Sequence, residues 1–201
     1  MPLIYPAPSL RTASLRPVVM YGEEEWRSLP NALKTTQTTG MFVTIDCAGR
    51  AEHAYVGNVA WSFLCAESTL RANDQRSEDA SGQAYFICDN TPPFSIFEFL
   101  MLILAECGVR KFPVTIPIWC LLSIFHVIWL VLYVISLLYK PINFPYGTQP
   151  FRMMQLTITL NCQKAKRLLN YSPIVPFQEA KKRTVNFIKA IAKKQHTLKG
   201  A

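Results

Sequence analysis

Between Lys111 and Lys140 run 28 residues in which His126 is the one ionisable side chain of consequence. A helix needs about 20 apolar residues to cross a bilayer core, so segment 112–139 is long enough to sit in a membrane. A buried core helix averages about 11–12 residues and would be much shorter. Trp119, Trp129, Tyr133 and Tyr139 supply amphipathic rings, with Trp119 and Tyr139 near the ends, where interfacial aromatics belong. Pro113 and Pro117 punctuate one side, Pro141 and Pro145 the other. His126 is a candidate proton-handling group. Its plainer reading is a neutral imidazole bonded to a backbone carbonyl.

Charge is unevenly placed around this segment. Residues 1–139 hold nine Lys/Arg and twelve Asp/Glu, whereas residues 140–201 hold twelve Lys/Arg and only Glu179. A basic tail beside an apolar segment finds its most economical partner in anionic lipid headgroups. Nucleic-acid binding is disfavoured, because aromatic and basic residues do not interleave as base stacking requires. The six cysteines (47, 65, 88, 107, 120, 162) include no C-x-x-C pair and no histidine spacing for zinc, so no metal is expected. Such scatter fits reduced thiols serving as small hydrophobes. Asn170-Tyr171-Ser172 matches a glycosylation sequon, and the N-terminal stretch lacks a signal-peptide pattern.

Along the chain, residues 15–22 predict a short strand ending near Pro17, and residues 41–46 a second. Asn58 is the expected N-cap of a helix through Leu70, and residues 71–82 are expected to form a polar loop. Residues 83–89 predict a buried strand closed by Pro92 and Pro93. Ser95 and Glu98 have capping-box spacing for a helix to Cys107, with Gly108 as its C-cap. Phe177, Ala180, Thr184, Phe187, Ile188 and Ile191 recur at helical spacing. Strands alternating with helices predict an α/β protein with a largely parallel sheet, here with few strands.

The eight glycines form no G-x-G pair, and Walker A, H-E-x-x-H and G-x-S-x-G patterns are absent. Glu23-Glu24-Glu25 reads as a solvated loop rather than as paired catalytic carboxylates.

Several segments taken in order are more specific. Leu15-Arg16-Pro17, Tyr21-Gly22-Glu23, Tyr55-Val56-Gly57-Asn58-Val59-Ala60-Trp61 and Tyr85-Phe86-Ile87 are followed by Asp89, Thr91-Pro92, Lys164-Ala165, Arg167, Tyr171, Pro173 and Glu179-Ala180-Lys181. The series, from about Leu10 to Lys194, resembles the C-terminal half of the 3β-hydroxysteroid dehydrogenase/Δ5-Δ4 isomerase family, within the extended short-chain dehydrogenases. The resemblance implies a partial α/β fold: an incomplete Rossmann-type sheet, a substrate-side region and one membrane-associated apolar helix. It implies residues 1–111 as the C-terminal part of the dehydrogenase domain, 112–139 as a membrane segment, and 140–201 as a basic helical region packing back.

The implied activity is NAD-dependent oxidation of a sterol or steroid 3β-hydroxyl, in the endoplasmic reticulum membrane or, as the alternative, in mitochondria. The family's catalytic Tyr-x-x-x-Lys pair lies in its N-terminal portion, and none of the eight tyrosines here has lysine four residues on. No catalytic residue is therefore assigned, and the chain alone is not expected to bind NAD. By resemblance, Pro17 and Val18 are cofactor-contact candidates, and Tyr21, Gly22 and Tyr55 line the steroid pocket. Glu24 stands where the family usually has glycine, and Trp61-Ser62-Phe63 departs from its usual Trp-Ala-His. The alternative function is a non-catalytic membrane-anchored interaction protein pairing with a full-length relative, as a homo- or hetero-oligomer. Because the resemblance joins residues on both sides of the apolar segment in one domain, an anchor inserted from one face, or a kinked hairpin, is expected over a single crossing.

Overall fold

The computed structural model describes residues 10–36, 39–72, 74–138 and 149–199. The chain is α/β, with short strands paired two by two, every pair parallel. It divides into two compact units, each assembled from three separate stretches: residues 1–22, 52–92 and 160–180, and residues 23–51, 93–159 and 181–201.

In the first unit, β1 (Ala13–Pro17) pairs with β6 (Gln83–Ile87), and β2 (Val19–Tyr21) with β5 (His53–Tyr55). The strand expected over 15–22 is thus divided at Val18, whose amide still donates to the Ile87 carbonyl at 3.1 Å. Two helices, α2 (Val56–Arg71) and α7 (Gln163–Leu169), supply Val59, Ala66, Ala165 and Leu169 to a core with Tyr85 and Ile87. Small alanines let these elements approach closely, and Tyr85 and Tyr171 fill the larger gaps.

Three expectations are corrected in this unit. Asn58 does not cap α2: the helix begins at Val56, and Asn58 is wholly buried one turn in. Residues 71–82 contain a helix, α3 (Gln75–Ala80), whose first turn is held by the Asp74 carboxylate accepting from Ser77 N at 2.9 Å. Cys88 and Cys162 are joined as a disulfide, with Cα atoms 6.2 Å apart, rather than standing as separate thiols. Glu52 lies against them and accepts from Leu160 N, but sulfurs bonded to each other are not thiolate ligands for a metal.

In the second unit, α1 (Ser28–Thr36) buries Leu29 and Leu33. The expected strand over 41–46 is two short ones: β3 (Met41–Phe42) pairs with β7 (Arg110–Lys111), and β4 (Ile45–Asp46) with β8 (Ile116–Pro117). Helix α4 (Ile96–Leu104) carries the expected capping box, Ser95 Oγ accepting from Glu98 N and Glu98 from Ser95 N. A 3-10 turn, Ala105–Cys107, ends at Gly108 in the left-handed region. Ile103 and Leu104 are fully buried on its core side.

Within segment 112–139 the first residues carry strand β8, and one uninterrupted helix follows, α5 (Ile118–Leu138). Over Ile118–Leu137 it is long and apolar enough to cross a membrane, and its side chains are largely exposed. His126 Nδ1 lies 2.6 Å from the Leu122 carbonyl, the bonding expected of a neutral imidazole. Tyr139, Lys140, Pro141 and Pro145 lie outside the described residues. Beyond them, α6 (Gln149–Met153) precedes a bridge from Ala51 to Ile158. Helix α8 (Phe177–Lys199) closes the chain, with Ala180, Thr184 and Ile188 fully buried at the predicted spacing.

Candidate functional site

Parallel strands present all their C-terminal ends at one edge, and in open α/β sheets ligands bind beyond that edge. The first unit places there the residues singled out from sequence. Pro17 ends β1 opposite Ile87, Val18 follows it, Tyr21 ends β2 opposite Tyr55, Gly22 follows Tyr21 directly, and Asn58 lies three residues after Tyr55.

One carboxylate organises this edge. Asp89, two residues beyond β6, accepts through Oδ2 from Tyr55 N at 2.7 Å and Asn58 Nδ2 at 3.1 Å, and through Oδ1 from Thr91 N at 2.8 Å. Asn58 uses its remaining capacity on the segment after α7. Its Oδ1 accepts from Ile174 N and Val175 N at 3.1 and 2.9 Å, and its Nδ2 donates to Val175 O at 2.9 Å. Every polar position of the amide is thereby used in a site closed to water. Asn58 and Asp89 are the structural centre that the sequence reading did not identify as a pair. Their spacing relative to Tyr55 and Thr91 was the available signal.

Tyr21 and Tyr55 both bury their rings, 5.9 Å apart and inclined at 53°. Tyr21 Oη shares a 2.9 Å hydrogen bond with Thr91 Oγ1. Burial pushes the Tyr21 phenol far above its ordinary range, and the Asp89 charge pushes it the same way against the Thr91 bond. A tyrosine acting as general base must be shifted downwards. Tyr21 is shifted upwards, so it remains a neutral phenol that fixes the strand ends. Gly22 has φ +143°, and a Cβ there would stand 2.5 Å from Val56 Cγ1, so the chain leaves β2 through a position that takes no side chain.

The next residues form the entry to the second unit. Glu24 has φ +62°, the left-handed conformation that favours glycine, and accepts from Trp26 Nε1 at 3.0 Å. Glu25 accepts from Arg27 N, Ser28 N and Leu29 N at 2.6–2.9 Å, capping the N-terminus of α1. The acidic run is thus part of the chain's local structure, with these two carboxylates bonded nearby.

A dinucleotide needs a glycine-lined helix N-terminus open to its pyrophosphate. Gly57 is in the first turn of α2, directly after a strand, but its Cα faces the Tyr55 ring, 2.5 Å from where a Cβ would be. The remaining described glycines lie outside helices that follow a strand. Among the described residues there is therefore no pyrophosphate cradle, and Pro17 and Val18 stand at a strand end.

In the second unit a cleft of about 610 Å³ lies beside residues 44–50 and α4. Phe94, Phe97, Met101 and Leu102 give it apolar walls, and the charged side chains of Asp46, Lys111 and the Arg50–Glu98 pair, 3.4 Å apart, also line it. Phe97, Met101 and Leu102 were read from sequence only as part of the helix opened by Ser95, since nothing local marks a helix face as a cleft wall.

A model of the 3-beta hydroxysteroid dehydrogenase/isomerase family matches residues 3–118, more than half of the chain. The chain belongs to this family. Among its relatives, a 3beta-hydroxysteroid-dehydrogenase/decarboxylase (isoform 2) of Arabidopsis thaliana is 31% identical over 185 residues, covering 88% of this chain and 31% of the relative. A 3 beta-hydroxysteroid dehydrogenase type 7 of Mus musculus is 29% identical over 187 residues, covering 90% of this chain and 49% of the relative. The chain therefore spans about a third to a half of the curated family members it matches. The fold also resembles a UDP-glucuronic acid 4-epimerase from Bacillus cereus, solved with UDP-glucuronic acid and NAD. That likeness has TM-score 0.51 and 15% identity, covering 88% of this chain and 45% of the epimerase.

Proposed function

We propose that this chain is the substrate-side half of a membrane-anchored oxidoreductase that oxidises the 3β-hydroxyl of a sterol or steroid with NAD. The observation that carries the reading is the family match over residues 3–118, in a chain that covers under half of its relatives' length. A cleft of steroid-compatible volume with partly apolar walls and an exposed apolar helix support an apolar substrate held near a bilayer. NAD chemistry would be hydride acceptance from the alcohol carbon. The residues here would position the strand ends beside the nicotinamide, and the pyrophosphate cradle and proton-accepting tyrosine belong to the relatives' additional length.

A second reading, a non-catalytic anchored partner of a full-length relative, is favoured by the free edge of β1. The Val18 amide bonds to Ile87 of β6 and the Thr12 carbonyl accepts from Gly82 just before it, so the amides of Ala13 and Leu15 and the nitrogen of Pro17 face the other way. Among the described residues no strand pairs there, and Phe86, Val19 and Met20 are exposed nearby. An open parallel edge is a template for another strand.

Both readings meet one experiment, in which the purified chain is titrated with NAD and assayed with a 3β-hydroxysterol. The assay is then repeated after co-expression with the nucleotide-binding half of the mouse relative. No saturable signal alone and NADH formation with the added half are expected. Micromolar NAD binding by the chain alone overturns the assignment of the cradle elsewhere. Stable co-purification with a full-length relative, without NADH formation in the complemented form, favours the second reading.

A further inference from the structure

Resting on the proposal that α5 is a membrane anchor, we infer that it lies along the headgroup–acyl boundary of one leaflet, with both ends on the same side, and does not cross. Two independent observations within the second unit point there.

The first is where the chain leaves and returns. Immediately before α5, Pro117 pairs with Asp46. After it, Ile158 N donates to Arg50 O at 2.8 Å, and Gly49 is pressed so closely on the Met154 and Gln155 backbone that a Cβ would meet it at 2.5 Å. Departure and return are therefore fastened to one stretch, residues 46–50. The return begins earlier still, because Phe151 of α6 lies 4.9 Å, ring centroid to centroid, from Phe125. Phe125 stands only seven residues into a helix of 21, so the tip of α5 is about 20 Å farther along the axis at 1.5 Å per residue. In a crossing, Leu138 would reach the far interface, and the ten residues up to Gln149, including Lys140, would have to come back through hydrocarbon. As a helix those ten residues span only about 15 Å of a core about 30 Å thick, and in extended form their backbone groups would be left unpaired in lipid.

The second observation is the distribution of polar atoms around α5. At 100° per residue, Trp119, Ser123, His126, Trp129, Tyr133 and Ser136 fall within an arc of about 140°. These are all of its side chains with an N–H or O–H, and they share the arc with Leu122, Leu130 and Leu137, so the polar face is interrupted by leucines. The opposite arc shows Ile124, Val127, Ile128, Val131, Val134 and Ile135, all exposed. The rings of Trp129 and Tyr133 stack at 5.5 Å, and Trp129 is 58% exposed. In an upright helix this pair would sit in the acyl interior, whereas Trp and Tyr favour the interface. Along the boundary, the polar arc faces headgroups and the aliphatic arc enters the leaflet by about 5–10 Å.

The test uses the full chain in sealed microsomes, with Cys47, Cys65, Cys107 and Cys120 changed to alanine. Ser123→Cys, Ser136→Cys and Val131→Cys are introduced one at a time and exposed to a membrane-impermeant maleimide. Ser123→Cys and Ser136→Cys are expected to label at similar rates from outside, with Val131→Cys at least tenfold slower. Protection of Ser136→Cys until the vesicles are opened, with Ser123→Cys labelled from outside, overturns the inference in favour of a crossing. Alkaline carbonate extraction of the same membranes keeps the two proposals apart. Release of the chain overturns the anchor itself, and with it this placement. Retention with one-sided protection overturns only the placement.

Discussion

Asn58 and Asp89 meet at 3.1 Å beneath the C-terminal ends of the first unit's strands, and between them they hold the start of α2, the turn after β6 and the segment at Val175. Replacing Asn58 with leucine would leave Ile174 N, Val175 N and Val175 O without their buried partner. The expected loss is at least about 3 kcal/mol, read as a lower urea midpoint. Asn58→Asp keeps the two acceptor contacts but sets a second carboxylate against Asp89. Repulsion raises the folded-state pKa of the introduced carboxyl. The variant should then be nearest to wild type at low pH, and lose stability as pH rises through that raised pKa. Unfolding midpoints at several pH values check the sign.

Gly22→Ala is expected to destabilise by about 1–3 kcal/mol, from backbone strain at a φ reserved for glycine together with the clash on Val56. Val56→Ala in the same chain should recover the steric part and leave the conformational part. A double-mutant cycle of melting temperatures measures the split.

Glu24→Gly is expected to act in the opposite direction. A left-handed non-glycine residue costs about 1–2 kcal/mol, partly offset by the Trp26 bond and the greater freedom of unfolded glycine. A net gain of roughly 0.5 kcal/mol should raise the melting temperature slightly, whereas Glu24→Ala should not.

Lys181 donates to Glu106 at 2.9 Å within the second unit, and this hydrogen bond, with the attendant charge, holds the Glu106 carboxyl below its ordinary range. Its contribution is present above the unfolded carboxylate pKa and is lost as pH falls through the folded one. Lys181→Met should move the Glu106 titration upwards, as followed by side-chain carboxyl NMR. An unmoved midpoint would show that the contact is not formed in solution.

Local chemistry was legible wherever it was also sufficient. The Ser95–Glu98 capping box, the left-handed Gly108 and the stripe from Ala180 to Ile188 each follow from residues three or four apart, and each is present. The long helix was equally plain, although its first expected residues are diverted into β8 by pairing with Ile45 and Asp46. Asn58 was misread for the opposite reason. Asparagine after a strand has the chemistry of a cap, but its partners here lie 31 and 117 residues away. The Cys88–Cys162 bond closes across 74 residues and leaves no local trace. Helix α3 escaped notice because five polar residues and Ala80 carry no apolar period, and only Asp74 marks its start. Of the site, the candidate residues at the strand ends were named from resemblance. Asp89, which binds them into one structure, was quoted without a role.

The interleaving of the two units also sets an order of events at the ribosome. Ala165, Leu169 and Tyr171 complete the core around Tyr85 and Ile87, yet they are synthesised only after the whole of α5. Ile158, which fastens the second unit at Arg50, is equally late. Neither unit can close before the apolar helix has emerged. Under the proposed anchoring, α5 is available to lipid before either unit can close, while the strand edges are still open.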